Sequence, residues 1–125
     1  METNKLVHAK TNVCDLSYLA GLMEGKTKLI TDIMEAFLIQ LPGELKSINE
    51  AVSGSNFKMI KSLAHHLKSS VSIMGISVLK PILMELEELG SGETAIDKIR
   101  ELAQKLNAIC MEATEELIRA KSSYA

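Results

Sequence analysis

Ala64-His65-His66-Leu67-Lys68-Ser69-Ser70-Val71-Ser72-Ile73-Met74-Gly75 is the stretch from which the rest of the chain can be read. With the residues before it, it repeats apolar positions at Ile60, Leu63/Ala64, Leu67, Val71 and Met74, the spacing of a buried helical stripe. At ~100° per residue, with Ile60 at zero, that stripe spans roughly 300° to 40°. On the same wheel His65 falls near ~140°, Lys61 near ~100°, Lys68 near ~80°, Ser72 near ~120° and Ser69 near ~180°. His65 therefore stands on the polar face, flanked by two lysines and two small hydroxyl residues. His66 falls near ~240°, beside Met59, Ile73 and Ser70 at the edge of the stripe, where packing is expected rather than presentation to a partner.

That grouping fits one kind of chemistry. A neutral imidazole is a nucleophile near neutral pH, because its unperturbed pKa is about 6.5. Lys68, at i+3, is placed to offset charge on a phosphoryl group carried by the ring. Ser69 and Ser72 keep side-chain bulk low around His65, so another protein could approach closely. Nothing nearby in the sequence supplies a general base, an oxyanion hole or a metal site. The ring can carry a group that another molecule delivers.

Ala64-His65-x-Leu67-Lys68-x-Ser70, with Gly75 ten positions after the histidine, resembles the signature of histidine-containing phosphotransfer (HPt) domains. The resemblance implies a four-helix bundle whose exposed histidine takes a phosphoryl group from a receiver-domain aspartate and passes it to another receiver. It puts the phosphoacceptor at His65, the charge-stabilising lysine at Lys68 and the turn glycine at Gly75. Lys61, Ser69 and Ser72 would then belong to the receiver-docking face. One position departs from the pattern: the family usually has glycine directly after the lysine, where this chain has Ser69. Docking is expected to survive that small step in size, with altered partner preference. Implied partners are receiver domains of response regulators or hybrid sensor kinases. The chain would need no cofactor of its own, the Mg²⁺ being bound by the receiver.

The whole sequence agrees with that plan. Its 125 residues suit one domain with a real core, and 46 % hydrophobic with 24 % charged residues reads as an ordinary globular chain. A net charge of −2 gives no electrostatic case for nucleic acid or an anionic membrane. No apolar run is long enough to span a bilayer, and the N-terminus lacks a signal-peptide layout. Cys14 and Cys110 have no metal-type spacing, so a reduced, cytoplasmic setting is expected. The starting Met1 leans towards a stand-alone protein, with a monomer as the expected state.

Residues 1–13 read as a polar leader, in which His8 is a solvated residue, and residues 14–121 as the bundle domain. Asp15 can cap a short lid helix carrying Leu16, Leu19, Ala20 and Met23 and ended by Gly25; Asp15-Leu16-Ser17-Tyr18-Leu19 also resembles the opening of many HPt domains. A second helix starts near Thr27. Its stripe of Ile30, Ile33/Met34, Phe37, Leu41, Leu45, Ile48 and Val52 stays in phase across Pro42-Gly43, which predicts one kinked helix rather than two. Ser55 or Asn56 can cap the third, motif-bearing helix, which should run to about Met74. In the fourth, Ser77 is the expected cap and Pro81 is tolerated in the first turn. Leu79, Ile82/Leu83, Leu86 and Leu89 form its stripe, Glu85, Glu87 and Glu88 its solvated side, and Gly90-Ser91-Gly92 its end. The last helix starts near Thr94 and carries Ile96, Ile99, Leu102/Ala103, Leu106, Ile109/Cys110, Ala113 and Leu117 to near Arg119. No strand-like alternation appears. Short links between long amphipathic helices predict an all-α fold, an antiparallel up-down-up-down four-helix bundle with a short N-terminal lid helix.

The leading expectation is a phosphocarrier rather than an enzyme, since the chain has no glycine-rich phosphate loop, kinase motif or hydrolase elbow. The alternative is a passive helical binding module, which predicts equal indifference to substitution at His65 and Lys68. A metal-binding bundle ranks third, because adjacent histidines point ~100° apart and nothing pairs with His65 at i+4.

Overall fold

The computed structural model describes residues 12–124. The leader read at 1–13 lies outside them except for its last two residues, and His8 lies outside them as well. Within the described residues the chain forms helices and no strand: α1 (Ser17–Leu22), α2 (Thr27–Ser53), α3 (Phe57–Ile73), α4 (Leu79–Gly92) and α5 (Ile96–Tyr124).

Local chemistry accounts for most of the boundaries. Asp15 Oδ1 accepts the Ser17 N–H at 3.0 Å and the Ser17 hydroxyl at 2.7 Å, satisfying a donor that the first turn of α1 leaves open. Gly25, with φ +72°, donates its N–H back to the Ala20 carbonyl at 2.9 Å and turns the chain into α2. α2 is one helix with Pro42 inside it, Pro42 and Gly43 both facing solvent. Its buried positions run from Ile30 to Val52 on one side, so tertiary packing outweighs the hydrogen bond that proline removes. Asn56 caps α3 by accepting the Met59 N–H at 3.2 Å.

The Ser77 cap and the end of α5 differ from the sequence reading. Ser77 does not cap α4: the N-cap residue is Val78, and Ser77 contributes only its carbonyl, to the Lys80 N–H at 3.1 Å. α4 ends at Gly92, within the Gly90-Ser91-Gly92 stretch that the sequence reading takes as its end, and Gly90 lies in its last turn. α5 carries on past Arg119 to Tyr124.

The four long helices pack in a cycle, α2 on α3, α3 on α4, α4 on α5 and α5 back on α2. Ile30, Met34, Leu41, Ile48, Ile60, Leu67, Leu83, Leu86, Leu106 and Leu117 meet in the interior, and α1 adds Leu19. No polar or charged residue among those described is buried there. Each fully buried aliphatic side chain contributes about 1.5–3 kcal/mol, which is why the amphipathic pattern dominates the fold. Cys110 sits in this core, where burial, with the Glu44 carboxylate adding to it, pushes its thiol up to about 12.

Two close approaches matter for the site. A Cβ on Gly90 would lie 3.1 Å from the Phe57 carbonyl and the Lys61 amide, so the absence of a side chain lets α4 press against the backbone of α3. At the end of α3, Gly75 takes φ +67°, and a Cβ there would lie 1.8 Å from the Asp15 carbonyl. The chain before α1 crosses this turn, with the Asp15 N–H bonded to the Gly75 carbonyl at 3.0 Å. Glu116 of α5 holds the same strap by accepting the N–H groups of Val13 at 2.6 Å and Cys14 at 2.9 Å. Burial first, and then the Glu116 carboxylate, push the Cys14 thiol up to about 12.

Candidate functional site

With Ile60, Ala64, Leu67 and Val71 turned into the core, α3 presents the opposite face to solvent. The His65 side chain is 68 % exposed. Lys61, Ser69 and Ser72 are exposed on the same side of the helix. Lys68 is only 30 % exposed in its side chain because it leans towards α4.

What draws it there is Glu87. One carboxylate oxygen lies 2.7 Å from Lys68 Nζ and the other 2.7 Å from His65 Nδ1. The bond from Lys68 holds the Glu87 carboxyl below the ordinary glutamate range, against partial burial that acts in the other direction, and the bond to His65 adds to the lowering. Glu87 is therefore a carboxylate at neutral pH and can only accept. For the 2.7 Å contact to be a hydrogen bond, the ring proton must sit on Nδ1, which leaves the lone pair on Nε2. The outer nitrogen of an exposed imidazole is thus the nucleophilic one. Beside the ring, and not lined by it, α3 and α4 form a shallow groove whose walls are Lys61, Lys68, Met84, Glu87, Glu88 and Ser91.

The structure puts His65, Lys68 and Lys61 on the solvent side of one helix, with Ser69 and Ser72 along it. Gly75 stands apart, at the crossing with the strap. His66 differs from the sequence reading: it is exposed rather than packed. Its side of α3 borders α2, and Met59 on that side is itself 44 % exposed, so α2 leaves this edge of the stripe open.

Glu87 is the neighbour of His65 and Lys68 that sequence reasoning missed, having taken it for part of a solvated side. A signal for it existed. In an antiparallel helix pair, residues equidistant from the turn lie side by side, since both helices rise 1.5 Å per residue. His65 stands ten positions before Gly75 and Glu87 twelve after it. Among the described residues no group of three or more His, Cys, Asp or Glu is placed to hold a metal. No helix there is long and apolar enough to cross a membrane.

A family model described as the Hpt domain matches residues 32–120, most of the chain and all of the groove. The chain belongs to the Hpt domain family. As an Hpt protein it is a histidine phosphotransfer intermediate of phosphorelays. Its fold is similar to that of histidine-containing phosphotransfer protein B (HptB) from Pseudomonas aeruginosa PAO1, with a TM-score of 0.82 at 19 % identity. That similarity covers 90 % of this Hpt chain and 97 % of the other. Among curated proteins none matches it.

Proposed function

We propose that His65 is the residue on which this Hpt protein carries its phosphoryl group. The observation that supports this most directly is the exposed ring whose Nδ1 is tied to a carboxylate, with Nε2 left outward. The Nε2 lone pair attacks phosphorus, the acyl P–O bond of a receiver aspartyl phosphate breaks, and its electron pair returns to the aspartate. The proton stays on Nδ1 throughout, donated in a hydrogen bond to the Glu87 carboxylate. The reverse exchange with a second receiver passes the group on. Lys68 offsets phosphoryl charge from one helical turn away. Lys61, Ser69 and Ser72 form part of the surface on which a receiver docks, the serines admitting its backbone by their small size.

The four long helices serve as an antiparallel bundle with α1 as its lid, over a domain of residues 14–121 that presents one rigid helical face. On this reading the chain is a carrier without an ATP site. The receiver brings Mg²⁺ and the acidic pocket, and a cytoplasmic monomer is the working state. The test is transfer from a phosphorylated receiver domain to wild type, His65→Ala and His66→Ala, scoring acid-labile label. Label on wild type and His66→Ala alone is the expected result. Label lost only in His66→Ala would move the site by one residue. No label from several receivers would favour a passive binding module.

A further inference from the structure

The side of the bundle away from His65 carries an arrangement that the phosphotransfer chemistry leaves unused. On α2, counted at ~100° per residue from the buried Ile30, Glu35, Pro42 and Lys46 fall near ~140°, ~120° and ~160°. On α5, counted in the same way from Leu106, Met111 and Ile118 fall near ~140° and ~120°. The side on which both sets lie is fixed by Asn49 and Asn107, near ~100° on their own helices, whose amides bond to each other at 3.1 and 2.9 Å. These residues therefore share the outer surface of the α2–α5 pair, across the packing cycle from the α3–α4 side where His65 stands. Apolar side chains occupy its middle: Met111 is 66 % exposed, Ile118 52 % and Ile39, at the edge, 70 %, with Pro42 exposed among them. Charge flanks them on α2, and neither Glu35 nor Lys46 has an ion-pair partner among the described residues.

The spacing has the symmetry of a surface that meets itself. Glu35 and Lys46 stand equally far on either side of the Gln40–Leu41 peptide, and Met111 and Ile118 equally far on either side of the Thr114–Glu115 peptide. In the antiparallel bundle the Asn49–Asn107 pair sets the register of α2 against α5, which brings those two midpoints within about one residue, ~1.5 Å, of the same level. A two-fold axis lying across the helices at that level turns each helix antiparallel to its own copy. It sets Glu35 against Lys46 of the second copy and Met111 against its Ile118, and each of these contacts occurs twice. We propose that the outer face of α2 and α5 is a contact surface for a second copy of this chain, paired about that axis by Met111, Ile118 and the Glu35 and Lys46 charges. An apolar middle with a charged rim is the anatomy of such an interface. Two helices wide and about 25 Å long, the face buries on the order of 1,000 Å² over both copies, the lower end of specific interfaces, so the association is reversible. Each copy keeps a complete His65 site pointing away from the other. The single chain therefore remains the working state for transfer, and the pair holds two carriers open to two receivers at once.

The test is sedimentation equilibrium of the full-length chain from micromolar to millimolar concentration, on wild type, Glu35→Lys, Lys46→Glu, the double exchange and Ile118→Asp. All the substituted side chains are exposed, so thermal melts should stay near wild type. Labelling by phosphoramidate, a small donor that needs no docking, should be the same in every variant and reports on His65 separately. Wild type should pass from 13.7 kDa towards twice that mass as concentration rises. Glu35→Lys and Lys46→Glu each bring like charges together at two places, and each should pair about threefold to thirtyfold more weakly. Ile118→Asp, which puts a charge in the apolar middle, should weaken pairing at least as much. The two single-charge variants mixed in equal amounts should pair with each other about as tightly as wild type, because one supplies two bases and the other two acids at the facing positions. The double exchange should restore pairing in the same way. Wild type that stays monomeric at every concentration would overturn the proposal, and slower transfer from a phosphorylated receiver to Ile118→Asp would then give the face to the receiver instead. A dimer whose strength ignores the charge variants, or a mixture that fails to recover it, would overturn this face and this axis as the contact.

Discussion

His65 and His66 are adjacent and both exposed, yet only His65 has a partner on α4, the Glu87 carboxylate at 2.7 Å. Because the His65 side chain is 68 % exposed, His65→Ala removes a reactive atom rather than core packing. Phosphoryl acceptance should fall to background, with stability unchanged within about 0.5 kcal/mol, checked by label transfer and a thermal melt side by side. His66→Ala should leave both untouched, since nothing in the core depends on its ring. Lys68→Ala should slow transfer without abolishing it, and an unchanged rate would remove Lys68 from the mechanism. The Glu87 carboxyl also predicts a pH effect on stability. Its folded pKa is lowered, so the stabilisation it provides is fully present above the ordinary glutamate range and disappears as pH falls through the folded value. Glu87→Gln should therefore melt below wild type at neutral pH, and the two curves should converge in acid. A difference that persisted undiminished at low pH would mean that packing, not charge, is what the substitution disturbs.

The helices were legible because 3.6-residue periodicity needs no knowledge of neighbours: Ile60, Ala64, Leu67 and Val71 read as a stripe and are buried as one. Features that depend on which helix lies opposite were not. Gly90 within Gly-Ser-Gly reads locally as part of a helix end, which it is, but the approach of α3 also makes it a packing position, with a Cβ only 3.1 Å from backbone atoms of Phe57 and Lys61. The grip of Glu116 on Val13 and Cys14 links residues more than a hundred positions apart, and no local pattern announces it. His66 was misjudged for the same reason, since its exposure is decided by how far α2 reaches. Predictions at this scale follow from the two glycines. Gly90→Val should force α3 and α4 apart, lower the melting temperature by several degrees and weaken the bond between Glu87 and His65, read from the ring nitrogen shifts. Gly75→Ala combines a left-handed conformation, which costs an L-residue about 1–2 kcal/mol, with a clash against the Asp15 carbonyl. It should lower the melting temperature and release the strap, exposing the Cys14 thiol to alkylation faster than in wild type. Unchanged thiol reactivity would show that the strap does not depend on that crossing.

For the molecule as a whole, a rigid aliphatic core exists here to hold one helical face still while another protein closes on it. The buried stripe of α3 fixes the azimuth of His65, α4 supplies the carboxylate that orients the ring, and Ser69 and Ser72 leave the approach unobstructed. On the reading proposed above, docking and chemistry are carried by different residues on the same helix and can be separated. Ser69 lies one turn from His65, is exposed, and touches neither the core nor the Glu87 bonds. Ser69→Trp should then leave the melting temperature and direct phosphorylation by phosphoramidate close to wild type, because a small donor still reaches Nε2. Transfer from a phosphorylated receiver should drop more than about tenfold, since the loss of close approach removes the alignment on which transfer between two proteins depends. If both donors fail alike, the indole has disturbed the ring rather than the interface. If the receiver transfers normally, the open surface beside His65 is not where it docks.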